Sequence, residues 1–271
     1  NIQEGHLFTP CAYAFLTSKR TAAYTHVFRA LKALGIVNEP TTLSTDFEIA
    51  LSNGFLAVFP TTKISRCAFH LYQAVLRKIQ NRHLTQLYDN ANTKHFFKGL
   101  MALSLIPSAD VPAYFDALKH EATQIKLLVP GNNVEVLYDY FERTNIGVKD
   151  AHSIRVCPMH PVDTWSIYDR IISHSQIGNS TTEAFNATLQ AVPPHSTAQK
   201  VASILAEHDR IFQKKHDFAS GEQKMLQQAY PQKHQTANMQ IGRFDAVSNG
   251  AMGKTPFKQL TDLCVHIHIQ Q

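Results

Sequence analysis

The sequence predicts an α/β fold, and three observations carry that prediction. Over the first seventy residues, apolar runs of strand length alternate with segments of helical period, giving strand, helix, strand, helix, strand through Phe69. Carboxylate and Cys/His residues stand where two of those strands end. A long block of purely helical pattern follows. With 271 residues, 44% of them hydrophobic, the chain can bury a full core and fits one elaborated domain or a domain with an insertion. Helical crossovers between successive strands imply a sheet that is at least partly parallel.

Taken in order, residues 1 to 10 are too short and mixed to read. From Pro10 the run CAYAFLT predicts a buried strand. A helix follows from about Thr21 to Leu34, with Tyr24, Val27, Phe28, Leu31 and Leu34 on one stripe, and Gly35 closes it. Thr41 to Thr45 predicts a second strand, which gives way at Asp46 to a helix carrying Phe47, Ala50, Leu51, Gly54, Phe55 and Val58 at helical spacing. Asp46 could cap that helix. Thr45 and Glu48, however, already form a T-x-x-E capping box, which leaves Asp46 for other chemistry at a strand end, where α/β folds carry their sites. The third strand ends in Cys67-x-x-His70.

Beyond His70, LYQAVLRKIQ, TKHFFKGLMALSLI, VPAYFDALKHEATQIKLL and VEVLYDYFERT each predict a helix, with Pro107, Pro112 and Pro130-Gly131 as breaks. A less regular stretch from Asn145 to Gln176 holds the single tryptophan, Trp165. A helix from about Ser180 to Ala191 stops before Pro193-Pro194, another runs roughly from Thr197 to Lys215, and a polar tail follows. On the first of these, Asn179, Glu183 and Asn186 fall opposite a core stripe of Ala184, Phe185, Thr188, Leu189 and Val192.

The formal charge of +5 permits a nucleic-acid partner without requiring one. Its distribution is uneven: residues 63–100 hold seven Lys or Arg against Asp89 alone, whereas residues 101–150 hold four against seven acidic residues. Cys11, Cys67, Cys157 and Cys264 make no dense disulfide framework, so a reducing compartment, cytosolic or nuclear, is expected. No run of about 18 apolar residues suggests a membrane partner. Cys67 and His70 have zinc-ligand spacing, and Cys157 with His160 repeats it, so a composed Cys2His2 site stands beside the simpler reading of a buried thiol and a hydrogen-bonded histidine. Gly253-Lys254-Thr255 lacks the first glycine and the strand of a phosphate loop, and no G-x-S-x-G elbow occurs.

The runs PCAYAFLTSK from Pro10, TDFEIAL from Thr45, Phe59-Pro60 and Cys67-Ala-Phe-His70, followed by YFERT from Tyr140, Trp165 and NSTTEAFN from Asn179, together resemble the catalytic domain of Mutator-like element (MULE) transposases. The resemblance implies a ribonuclease-H-like, retroviral-integrase-like mixed sheet flanked by helices, with a large α-helical insertion. On that reading residues 1–83 are the first part of the core, 84–145 the insertion, 146–215 the rest of the core and 216–271 the tail. It implies metal-dependent DNA cleavage and strand transfer in the nucleus, with Asp46 as the second aspartate and Glu183 as the glutamate of an Asp-Asp-Glu triad. Those two would hold Mg²⁺ or Mn²⁺, Cys67 and His70 would be the family's Cys/His motif, and Arg66, Arg77, Lys78 and Arg82 would face double-stranded DNA. A homo-oligomer is compatible with such a domain. The triad's first aspartate would precede this sequence, since Asn1 to Thr9 offer only Glu4; an N-terminally truncated or inactive core is therefore expected, with a domesticated, non-catalytic DNA-binding or regulatory protein as the alternative.

Overall fold

A computed structural model describes residues 2–4, 7–9, 12–35, 37, 39–173, 255–258 and 260. Among them the order is β1 (Ile2–Glu4), β2 (Leu7–Thr9), α1 (Thr21–Ala33), β3 (Thr42–Thr45), α2 (Ile49–Leu56), β4 (Lys63–Arg66), α3 (Ala68–Asn81), α4 (Thr85–Asp89), α5 (Lys94–Ala102), α6 (Val111–Gln124), α7 (Asn133–Phe141), α8 (Val162–Trp165) and α9 (Tyr168–Ile172). A 3-10 turn, Leu103–Leu105, extends α5, and a π-turn, Glu142–Ile146, extends α7. The result is a mixed α/β arrangement, mostly helical, with two small two-stranded sheets. β1 and β2 form an antiparallel hairpin with Ile2 opposite Thr9. β3 and β4 run parallel: Lys63 N–H donates to Thr41 O at 2.9 Å and Cys67 N–H to Thr45 O at 3.0 Å, both partners advancing in the same direction.

Two local expectations are corrected. The strand predicted from Pro10 is irregular over residues 12–20, with Tyr13, Phe15 and Leu16 exposed. Strand-forming residues make a strand only where a ladder partner and a face to bury exist, and no described strand pairs with this run. The capping box also fails at Thr45: β3 retains that residue, and α2 starts only at Ile49 with Glu48 at its N-cap, where the Glu48 side chain makes no cap bond. A box of similar logic stands at α7, where Asn132 Oδ1 accepts from Glu135 N–H at 2.8 Å and Glu135 Oε2 accepts from Gly131 N–H at 2.6 Å.

By their contacts the described residues form two compact units, one up to Leu43 with Glu48–Lys63, the other Ser44–Phe47 with Ile64 onward. In the first, α1 packs on α2 so closely that a Cβ added at Gly54 would lie 2.7 Å from Tyr24 Cβ and 3.0 Å from Thr21 O. Phe28 meets Phe55 edge to face at 4.7 Å, and Tyr24 Oη donates to Glu48 Oε1 at 2.7 Å. Leu34 is 72% exposed, so the α1 stripe ends at Leu31, and Gly35 closes the helix with φ +68 as expected.

The second unit holds the larger core, in which α3, α5, α6 and α7 enclose Phe97, Leu100, Phe115 and Phe141. Trp165, wholly buried, meets Phe141 edge to face and donates from Nε1 to His160 O at 3.1 Å. Each fully buried aromatic of this kind contributes about 2–3 kcal/mol. Glu142, itself buried, accepts from Lys119 at 2.6 Å and Arg155 at 2.9 Å, and Arg155 also binds Asp116 and Gly147 O. His160 sits beneath this region, its N–H bonded to Thr144 O at 2.8 Å. Burial, helped by the Arg66 charge, pushes its imidazole from the ordinary 6.5 down to about 4.

Two stability measurements follow from this packing. Replacing Gly54 with Ala gains about 1 kcal/mol of helix propensity, yet the added methyl meets α1 backbone; the account expects a lower Tm, and a raised Tm contradicts it. For His160 the unfolded chain takes a proton near pH 6.5 while the folded chain resists until about pH 4. The contribution of His160 to stability is therefore steady above pH 6.5 and falls by up to about 3 kcal/mol as pH drops through that window. Urea midpoints of the native chain and His160→Leu should converge as pH falls from 7 to 4, and parallel curves would refute the assignment.

Candidate functional site

Asp46 follows the last residue of β3 and is half-buried. Because Cys67 N–H closes the β3–β4 ladder on Thr45 O, the strand-end carboxylate stands beside the start of α3, whose N-cap residue is Cys67. Glu48, at the N-cap of α2, makes no side-chain capping bond. Thr45 Oγ1 donates to Asp46 Oδ1 over a long 3.5 Å. Carboxylate oxygens at this position are the donor type that hard divalent cations take. Glu183, the expected second ligand, lies outside the described residues, and among the described residues no group of three or more His, Cys, Asp or Glu is placed to hold a metal.

That last finding bears on the Cys/His pairs as well. Cys67 is 1% exposed at the strand-to-helix junction and takes part in no disulfide, whereas Cys157 is exposed. All four residues of the composed Cys2His2 arrangement are described, and they form no such group. The buried-thiol reading of Cys67 fits the geometry. His70 lies half-buried in the first turn of α3.

The four cations expected on a DNA-facing surface divide. Arg77 and Arg82 are exposed, Arg77 bonding only its helix neighbour Gln73 Oε1 at 2.8 Å, and half-buried Lys78 sits 4.2 Å above the Tyr140 ring. They occupy the last turns and the C-cap of α3, about 15–22 Å from Cys67 along the helix axis. Arg66 is the correction. It is 4% exposed, and its guanidinium donates to Asp46 O at 2.8 Å and lies 5.5 Å from the Phe47 ring centre, so it faces the protein interior and not a phosphate backbone. In a four-residue strand the exposed end is Lys63.

Sequence reasoning missed the residue that fixes this strand end, Arg170. From α9 it donates to Ser65 Oγ at 2.7 Å and to Arg66 O at 3.0 Å, across more than a hundred residues of chain. Burial pushes its guanidinium down to about 10, against the raising influence of Cys67 and Tyr72. Tyr72, whose own hydroxyl is driven upward by burial, shares a 2.8 Å hydrogen bond with Ser104. A lone Arg in YDRII carries no local signal of such a role. Only the fold, which returns α9 to β4, reveals it.

No curated protein and no solved structure matches the chain. A family model does, and its matched span ends before Trp165 and Glu183 while taking in Tyr24, Asp46, Cys67 and His70. The resemblance read from T-D-F-E and C-x-x-H is therefore shown over that span: residues 2–74 of this chain match the MULE transposase domain.

Proposed function

We propose that this chain is part of a DNA transposase catalytic core of the MULE type, built on a ribonuclease-H-like fold, which cleaves and joins DNA in the nucleus. The observation that carries the reading is Asp46, inside the matched segment and at the end of a parallel strand. Asp46 and Glu183 would hold Mg²⁺ or Mn²⁺, which supplies Lewis-acid stabilisation of the attacking and leaving oxygens at a phosphodiester. The chain's own part is to fix the Asp46 oxygens at the strand end and to keep the neighbouring thiol of Cys67 buried, away from the hard cation. Arg77, Lys78 and Arg82 neutralise DNA phosphates, and each contributes to affinity through release of counterions.

A second reading, DNA binding without cleavage, is favoured by the same exposed end of α3, because Arg77 and Arg82 need no carboxylate to bind phosphate. One experiment separates the two. The full-length protein that carries this segment, with the triad's first aspartate present, is assayed on supercoiled and linear DNA with Mn²⁺ beside Asp46→Ala, Glu183→Gln and Arg77→Ala/Arg82→Ala. The transposase reading expects Mn²⁺-dependent cleavage that falls at least about a hundredfold in either carboxylate variant while DNA binding is retained. The double arginine variant should bind more weakly, its slope of log affinity on log salt smaller by about 2. Cleavage unaltered by Asp46→Ala contradicts the assignment, and salt-dependent binding with no cleavage in Mn²⁺ selects the second reading.

A further inference from the structure

Asp46 is held by its backbone. Arg66 Nη1 donates to the Asp46 carbonyl at 2.8 Å, and the same guanidinium lies over the ring of the next residue, Phe47. On another side Phe47 meets the His160 ring edge on at 4.8 Å and 86°. His160 is itself fixed, its N–H bonded to Thr144 O at 2.8 Å and its carbonyl to Trp165 Nε1 at 3.1 Å. Arg66 is seated in turn by the Arg170 bonds to Ser65 Oγ and Arg66 O. The dipeptide Asp46-Phe47 is thus gripped from the end of β4 and from the His160 turn, all within the second unit.

Keeping a cation here is expensive. Arg66 is 4% exposed, burial lowers its pKa against the raising influence of the Asp46 charge, and its Nε–H has no hydrogen-bond partner. An unsatisfied buried donor costs stability, and an apolar side chain of similar volume would fill the space without that cost. What an apolar chain cannot do is bond the Asp46 carbonyl while lying on Phe47.

We propose that Arg66 is a positioning residue for Asp46, setting the direction of its carboxylate through the Asp46 carbonyl and the Phe47 ring. The inference rests on the reading of Asp46 as a metal ligand. Arg66 touches neither DNA nor a reacting atom; it acts through Asp46. Charge and geometry make opposite demands on it, which makes the role measurable. A guanidinium acting by charge alone would repel a divalent cation, so its removal would tighten metal binding. A positioning guanidinium has the opposite effect, since losing such an outer partner weakens metal affinity by about tenfold or more.

The test uses the full chain, Arg66→Met and Arg66→Lys, with two readouts. In the first no metal is added, and hydrogen exchange is followed at the amides of Asp46, Phe47 and Cys67, the last being the donor to Thr45 O. Exchange at these amides should quicken by about tenfold or more in Arg66→Met, with α6 and α7 unchanged and with Lys giving only partial rescue, because an ammonium cannot bond the carbonyl and cover the ring together. Unchanged exchange at 46–47 overturns the proposal, as does acceleration that spreads equally through α6 and α7, which marks a general loss of stability. The second readout is Mn²⁺ affinity by electron paramagnetic resonance: weakening in Arg66→Met supports the proposal and tightening overturns it. If the native chain takes up no Mn²⁺, the metal reading of Asp46 fails while the exchange measurement still decides whether Arg66 orders it.

Discussion

The parallel pairing of β3 with β4 is the constraint on which the functional reading depends, and it is a slender one. Two four-residue strands cannot hold themselves in register in water. Their far end is closed by one ladder bond, Cys67 N–H to Thr45 O, and Asp46 projects just past it. Two guanidiniums compensate for the shortness of the ladder: Arg170 bonds the last residues of β4, and Arg66, the last of them, bonds the residue after β3. Arg66 is buried and Arg170 half-buried, both have their pKa lowered by desolvation, and neither can leave without stranding polar partners. The carboxylate that could hold a cation is therefore supported by cations already in the protein.

The helical core gives that arrangement something to lean on. Ile167 N–H reaches Ser104 O at 2.7 Å and Ser166 Oγ reaches Ile106 O at 2.9 Å, tying the α8–α9 segment to the end of α5. Arg170 is carried by α9, so the geometry at β4 inherits its rigidity from a core that includes Trp165 and Phe141. Farther along, Gly147 has φ +92, and a Cβ there would lie 2.0 Å from Val156 O, so only glycine permits the turn that brings Arg155 back onto Glu142. Acid–base pairs and tight turns here serve position more than net stability.

Much of this was legible in the residues because it depends on local period. The stripes of α1 and α3, the glycine stop at Gly35 and the Asp46 strand end are all properties of windows of ten or fifteen residues. The errors share a different cause. CAYAFLT has strand composition but finds no ladder partner among the described residues, and T-x-x-E at Thr45 has capping spacing but loses its threonine to a strand. Arg66 was expected to face DNA with the basic residues that follow it; instead it bonds the Asp46 carbonyl and lies over the Phe47 ring. Arg170 was invisible, since its partners are more than a hundred residues away. Long-range pairing is what a single sequence encodes least openly.

The function proposed above requires that Asp46 and Glu183 bind the same divalent cation. Iron-directed backbone cleavage tests it most directly: Fe²⁺ is bound in place of Mg²⁺ or Mn²⁺, hydroxyl radicals are generated with ascorbate and peroxide, and the cut positions are read by mass spectrometry. The account predicts cuts clustered at both Asp46 and Glu183, with both sets lost together in Asp46→Ala. Cuts at only one of the two, or cuts at Glu183 that survive loss of Asp46, would contradict it.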